Sequence, residues 1–288
     1  MPLSLGAGES VIILERHERY ETDPAAENAG SVLAEDAAAA FDRDVTFFQR
    51  AFTQNVAGSE TTMVLFAASD TQYAGKGYRA METTWIAQNA AIYALDASGL
   101  DPAKHIINFN SEFFTPKFRP SDKAGPIRIW PDANVREPQI FNTPAYISYL
   151  IGKYGSMDGN PNRLSPQAWT AHECDAEREV REALGAEGVY DVLARTKKSL
   201  SLMRAYATRF HMTHPNSRLI ARVGTHYDTI SPLVKDVAGI PFEKFVPVQN
   251  GGGVAIKLAA EQVPLLKVQG KELKLHLGGA VAKRTMSA

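Results

Sequence analysis

The chain has 288 residues, 44% of them hydrophobic and 22% charged, with a formal net charge of −1. That size accommodates one large α/β domain or two modest ones with a sizeable core, and a charge so near zero gives no sign of the basic domain or stripe of a nucleic-acid binder. The single cysteine, Cys174, excludes an internal disulfide and fits a reducing compartment.

The opening MPLSLGAGES has neither the basic start nor the apolar run of a signal peptide. No stretch approaches the roughly 18 consecutive apolar residues of a membrane helix. A soluble, cytoplasmic protein with no membrane partner is therefore expected.

Val11–Leu14 is a short apolar, β-branched run that predicts a buried strand ending at Glu15-Arg16-His17. Residues 21–30 are rich in Ala, Asn, Asp and Pro and predict a loop. A long helix is expected from Ser31, as its cap, to about Asn55, with Val32, Phe41, Val45, Phe48 and Phe52 on its apolar face. Thr61–Ala68 predicts the second strand, which runs into the polar loop SDTQYAGKGYR. Arg79–Leu95 predicts a helix with Gly99 beyond its end, and His105–Phe109 a third, shorter strand.

Residues 115–145 contain six prolines and little periodicity. They predict an irregular insertion of the kind that forms a lid or a site wall. One or two helices, interrupted near Gly185 and Gly188, are expected within 166–212. Arg218–Val223 predicts a strand ending at Gly224-Thr225-His226, and Ser231–Val237 a helix with Pro232 in its first turn. Val254–Leu258 and Leu265–Leu277 predict strands, the latter a hairpin around Gln269-Gly270. Strands and helices alternate over most of the length, so the expected fold is a three-layer α/β sandwich with a mostly parallel central sheet.

Three predicted strands deliver cationic or imidazole side chains: Arg16 and His17 after VIIL, Arg79 after VLFAASD and its loop, and His226 after LIARVGT. Ligand sites of open α/β sheets lie beyond the carboxyl ends of the strands, so these side chains can share one crevice. The set suits a phosphoryl group. Arginines bind phosphate oxygens in bidentate fashion, a neutral imidazole can attack phosphorus, and a second imidazole stabilises the equatorial oxygens.

On these residues the chain resembles the histidine phosphatases, which include the phosphoglycerate mutases. The family's Arg-His-Gly strand end is similar to VIILERHE here, and its second arginine, at a helix start in S-x-x-x-R-A-x-x-T, is matched by SDTQYAGKGYRAMET. Its late histidine is matched by RLIARVGTHYDT, and its closing turn and strand resemble QNGGGVAIKL. The resemblance implies a phosphoglycerate mutase-like fold over residues 1–288 with a capping insertion at about 110–160. It implies hydrolysis of a small phosphorylated substrate through a phosphohistidine on His17. Arg16, Arg79 and His226 would clamp the phosphoryl group, and a carboxylate would serve as proton donor. Glu112, in INFNSEFF, stands near the place of the mutase glutamate; Asp228 is similar to the acid-phosphatase aspartate, offset by one residue. The family glycine after the nucleophile is Glu18 here, followed by Arg19, which could restore positive charge or pair with Glu15 or Glu21.

No cofactor and no metal are expected. His211 and His214, or His172 near Cys174 and Asp175, are ligands on paper, but neither a CxxC pair nor an HExxH helix accompanies them. GAGES and QNGGG lack the GKS/GKT context of a P-loop, no GxSxG elbow appears, and HECDAEREVRE predicts the solvated face of a helix. The rival expectations are a phosphoglycerate-type mutase and a non-catalytic phosphate-binding protein. The second would gain if Glu18 filled the phosphate site and paired with Arg16 or Arg79.

Overall fold

The structure is a computed structural model that describes residues 5–54, 56–73, 75–108, 127–160, 163–258, 264–268 and 271–277. The run VIIL is apolar at every position because its strand, β1 (Ser10–Arg16), is covered on both faces. Val11 and Ile13 pack on one side with α1 (Ala34–Thr53) and α2 (Arg79–Ala97). Ile12 and Leu14 pack on the other, where α7 (Val189–Thr213) and α8 (Tyr227–Ala238) close the core. Two helical layers thus flank the sheet, as expected.

The strands run in the order β3-β2-β4-β1-β5-β6-β7. β2 (Thr62–Ala68) and β4 (Arg218–Thr225) lie parallel to β1, as does the edge strand β3 (Ile129–Pro131). β5 (Gly253–Leu258), β6 (Leu265–Val268) and β7 (Lys271–Lys274) continue the sheet as an antiparallel extension. Because β4 inserts between β1 and β2, the chain reverses direction across the sheet there, and the carboxyl ends of all three strands open on one crevice.

Gly224, near the end of β4, sets how closely α2 approaches. A Cβ there would lie 2.2 Å from Thr84 Oγ1 and 2.6 Å from the Ala80 carbonyl. The bare backbone lets the first turn of α2, which carries Arg79, rest on the sheet. Gly224→Ala is expected to cost about 3 kcal/mol through overpacking, read as a lowered urea midpoint at unchanged m-value. An unaltered midpoint would refute this account.

Several expectations are corrected. Ser31 does not cap α1. Val32 bridges Tyr20 and donates its N–H to the Glu82 carboxylate at 2.7 Å, which holds the chain extended until Ala34. The third strand is not at His105–Phe109. Asp101 accepts the Ala103 N–H and Pro102 occupies the first turn of a short helix, α3 (Pro102–His105), leaving Ile106 a single bridge to Val64. Phe109 lies outside the described residues. α8 starts at Tyr227, four residues before the expected start, so Pro232 sits inside the helix.

From residue 127 the described part of the Pro-rich segment forms β3 and 3-10 turns at Ala133–Val135 and Gln139–Asn142. It leads into α4 (Pro144–Tyr154) and α5 (Pro166–Glu173), which enclose a small core of their own around Tyr146, Leu150 and Ala168. The charged run at 172–182 is not a solvated face. Arg181, in α6 (Arg178–Ala183), is buried against Asp175 at 2.7 Å, and His172 is buried as well. Among the described residues no helix is long and apolar enough to cross a membrane.

Candidate active site

His17 follows β1 with its backbone N–H donating to the Thr225 carbonyl at 3.0 Å, so the two strand ends are locked together. Its Nδ1 lies 2.7 Å from the Glu18 carbonyl. A carbonyl can only accept, so Nδ1 carries the proton and Nε2 presents its lone pair. Arg79, the first residue of α2, donates Nε–H to that Nε2 at 3.1 Å. Burial first, and the Arg79 charge second, hold the His17 pKa well below 6.5. The imidazole is therefore neutral and its nucleophilic nitrogen faces the crevice.

His226 stands at the end of β4, its ring centroid 5.3 Å from that of His17. Its Nε2 lies 2.8 Å from Ser69 Oγ, which donates in turn to Thr71 Oγ1, so Nε2–H is the donor. Nδ1 is buried with no partner, 3.8 Å from Glu137. Arg16 donates Nη1–H to the Val248 carbonyl at 2.6 Å and lies over the Tyr227 ring at 5.6 Å. Arg79 lies over the Tyr20 ring at 4.6 Å and the Tyr73 ring at 5.2 Å. Arg16 Nε and Arg79 Nη1 are also buried without partners.

These residues line a crevice of about 700 Å³, together with Asp228, Trp169 and the 136–142 segment. Two buried guanidinium nitrogens of this crevice, Arg16 Nε and Arg79 Nη1, thus lack an acceptor, where buried polar groups are normally satisfied. An anion with several oxygens would supply what they lack.

Glu137 is the residue that sequence reasoning missed. It pairs with Arg79 Nη2, and burial raises its pKa against the lowering effect of that arginine. α7 and β4 set its position: Arg195 of α7 donates to the carbonyls of Asn134 and Glu137, each at 2.9 Å, and Thr225 Oγ1 at the end of β4 donates to the Val135 carbonyl at 2.6 Å. The available signal was an acidic residue beside Arg136 in a Pro-rich segment already expected to form a site wall.

Asp228 also lines the crevice. Burial, then the carboxylates of Glu137 and Glu173, push its pKa up to about 7. Glu112 lies outside the described residues. Glu18 does not enter the site. Its carboxylate accepts from Arg43 of α1 at 2.8 Å, and its N–H donates to Thr83 Oγ1 at 3.0 Å. Arg19 pairs outside the crevice with Glu35 and Asp36 rather than with Glu15 or Glu21.

The paper metal ligands are engaged elsewhere: His211 contacts Ser10 Oγ at 2.7 Å, His214 stacks on Phe210, and His172 lies against Tyr146 and Trp169. Among the described residues no group of three or more His, Cys, Asp and Glu side chains is placed to share a metal ion.

No family model matches the chain, and no curated protein matches its sequence. Among solved structures the chain is similar to a phosphoglycerate mutase from Bacillus anthracis str. Sterne, at 11% identity over 88% of this chain and 89% of that one, with a TM-score of 0.45. It is also similar to a mycobacterial glucosyl-3-phosphoglycerate phosphatase, at 12% identity over 86% and 89%, TM-score 0.44. A third likeness is to the Bifidobacterium longum multiple inositol polyphosphate phosphatase bound to inositol hexasulfate, at 9% identity over 92% and 87%, TM-score 0.47. At such identities, and with TM-scores below 0.5, neither activity nor substrate carries over.

Proposed function

We propose that this chain is a phosphatase of the histidine-phosphatase type, which hydrolyses a small phosphate monoester through a phosphohistidine on His17. The observation that carries the reading is the trio of buried, unpartnered nitrogens on Arg16, Arg79 and His226 around a neutral imidazole whose unprotonated Nε2 lies against Arg79. Arg16 and Arg79 neutralise the phosphoryl oxygens, and His226 takes a proton from the incoming substrate monoanion and donates it back to the bound dianion through Nδ1. His17 Nε2 attacks phosphorus in line. The P–N bond forms as the P–O bond to the leaving group breaks, and the leaving oxygen takes a proton from Asp228. Water then attacks the phosphohistidine, Asp228 accepts its proton, and the P–N bond breaks to release inorganic phosphate. None of these steps calls on a metal.

The chain acts in this reading as one domain, with the region at about 110–160 as its cap. The described part of that cap supplies Glu137, Gln139 and Asn142 to the crevice wall. Glu137 is the counter-ion that holds Arg79 until a phosphoryl group displaces it. The non-catalytic alternative loses its expected support, because Glu18 pairs with Arg43 rather than with Arg16 or Arg79.

The direct test is to quench the enzyme during turnover of labelled phenyl phosphate and look for acid-labile, alkali-stable label on His17. Turnover with no such label under single-turnover conditions would sink the proposal.

The pH profile is a second expected outcome. Asp228 donates as the neutral acid and its pKa is about 7, so kcat/KM for phenyl phosphate should be high on the acid side and fall as pH rises through 7. The depressed His17 pKa keeps the nucleophile neutral well below 6.5. Asp228→Asn should remove the alkaline limb and lower kcat by about 10²–10³. A limb that survives the substitution would place the proton donor elsewhere.

A further inference from the structure

A second cavity of about 720 Å³ lies between α1 and the sheet and shares no lining residue with the catalytic crevice. It opens to solvent along α1, where Arg43, Thr46 and Arg50 are exposed, and its size is that of a small-molecule site. Its walls divide into three parts. At one end Arg43 and Arg222 are matched by Glu15, Asp44 and Glu18, with contacts of 2.6–3.2 Å. The middle is apolar, formed by Ile13 of β1, Ile220 of β4 and Phe47 of α1.

At the other end stand Arg50, on the last turn of α1, and Arg218, at the start of β4. Arg218 is 5% exposed, and its Nη2 donates to the Ala51 and Gln54 carbonyls at 3.1 and 3.2 Å. Those two carbonyls satisfy Nη2 alone; Nε is buried with no partner. Among the described residues no carboxylate pairs with either arginine, and burial pushes the Arg218 guanidinium below its usual pKa. A buried cation without a counter-charge is costly and is normally matched.

We infer that this cavity is a second ligand site, for a small amphiphilic carboxylate whose head pairs with Arg50 and Arg218 and whose apolar body lies along Phe47, Ile13 and Ile220. Charge complementarity selects the head, because at the opposite end two arginines already face three carboxylates and no cation is left to match. This inference is independent of the reaction assigned to His17.

Calorimetric titration of the full chain with 4-phenylbutyrate tests it, with 4-phenylbutan-1-ol as the uncharged counterpart. Saturable one-to-one binding is expected, about tenfold weaker for the alcohol and about tenfold weaker in Arg50→Ala, each through loss of a charge-assisted contact. Arg50 is exposed, so that variant leaves the core intact; Arg218→Met, checked for folding by circular dichroism, should weaken binding further. His17→Ala should bind as wild type does. Absence of saturable binding to folded wild type, equal affinity for the alcohol, unchanged affinity in Arg50→Ala, or loss of binding in His17→Ala would each overturn the assignment.

Discussion

His17→Ala is expected to lower kcat for phenyl phosphate by at least about 10⁴-fold, the scale seen when a covalent nucleophile is removed from a site whose other groups remain. The reason is local geometry. Nδ1 is committed to the Glu18 carbonyl at 2.7 Å, which leaves Nε2 as the one lone pair directed at the crevice. Arg79 Nε is its neighbour at 3.1 Å, so an attacking nitrogen and a clamping cation are already adjacent before substrate arrives. The variant should fold, because the strand-end bond from the residue 17 N–H to the Thr225 carbonyl belongs to the backbone. Rates are to be measured with EDTA present throughout. Activity that persists in His17→Ala would reassign the nucleophile, and activity abolished by EDTA in wild type would replace the mechanism altogether.

Arg79→Ala should reduce kcat/KM by about 10³-fold, since one side chain is lost both from charge stabilisation at the phosphoryl oxygens and from alignment of His17. Arg79→Lys should recover little. Lysine brings a point charge but cannot hold His17 Nε2 and a phosphoryl oxygen in one planar fork. Glu137→Gln separates the two roles open to that carboxylate. As the counter-ion that phosphate must displace from Arg79, its neutralisation should tighten inhibition by orthovanadate by about tenfold, the worth of one charge-assisted contact. As the proton donor, its loss should instead cut kcat by about 10² or more with inhibition unimproved. The pairing with Arg79 favours the first outcome.

The sequence by itself determined the parts of this protein that depend on local pattern. VIIL, MVLFAA and the LIA of RLIARV are apolar at consecutive positions because both faces of their strands are buried, and each segment was legible as a strand on that ground. The RAMETTWIAQNAAIYAL segment is rich in Ala, with Arg, Met, Glu, Gln and Leu, and forms α2 with Arg79 at its first position. Once those elements are placed, the strand-end rule brings Arg16, His17 and His226 to one crevice, as expected.

Tertiary structure alone decided what the polar side chains do. Glu18 faces Arg43, 25 residues on, and Glu137 faces Arg79, 58 residues back, so no window of local pattern contains both partners. The edge strand at Ile129–Pro131 and the turns after it sit in a Pro-rich segment without periodicity, held by Thr225 and Arg195 from distant elements. Periodicity records which face of an element is buried. Which charge meets which across the chain is settled only when β4 enters between β1 and β2 and the elements close around the crevice.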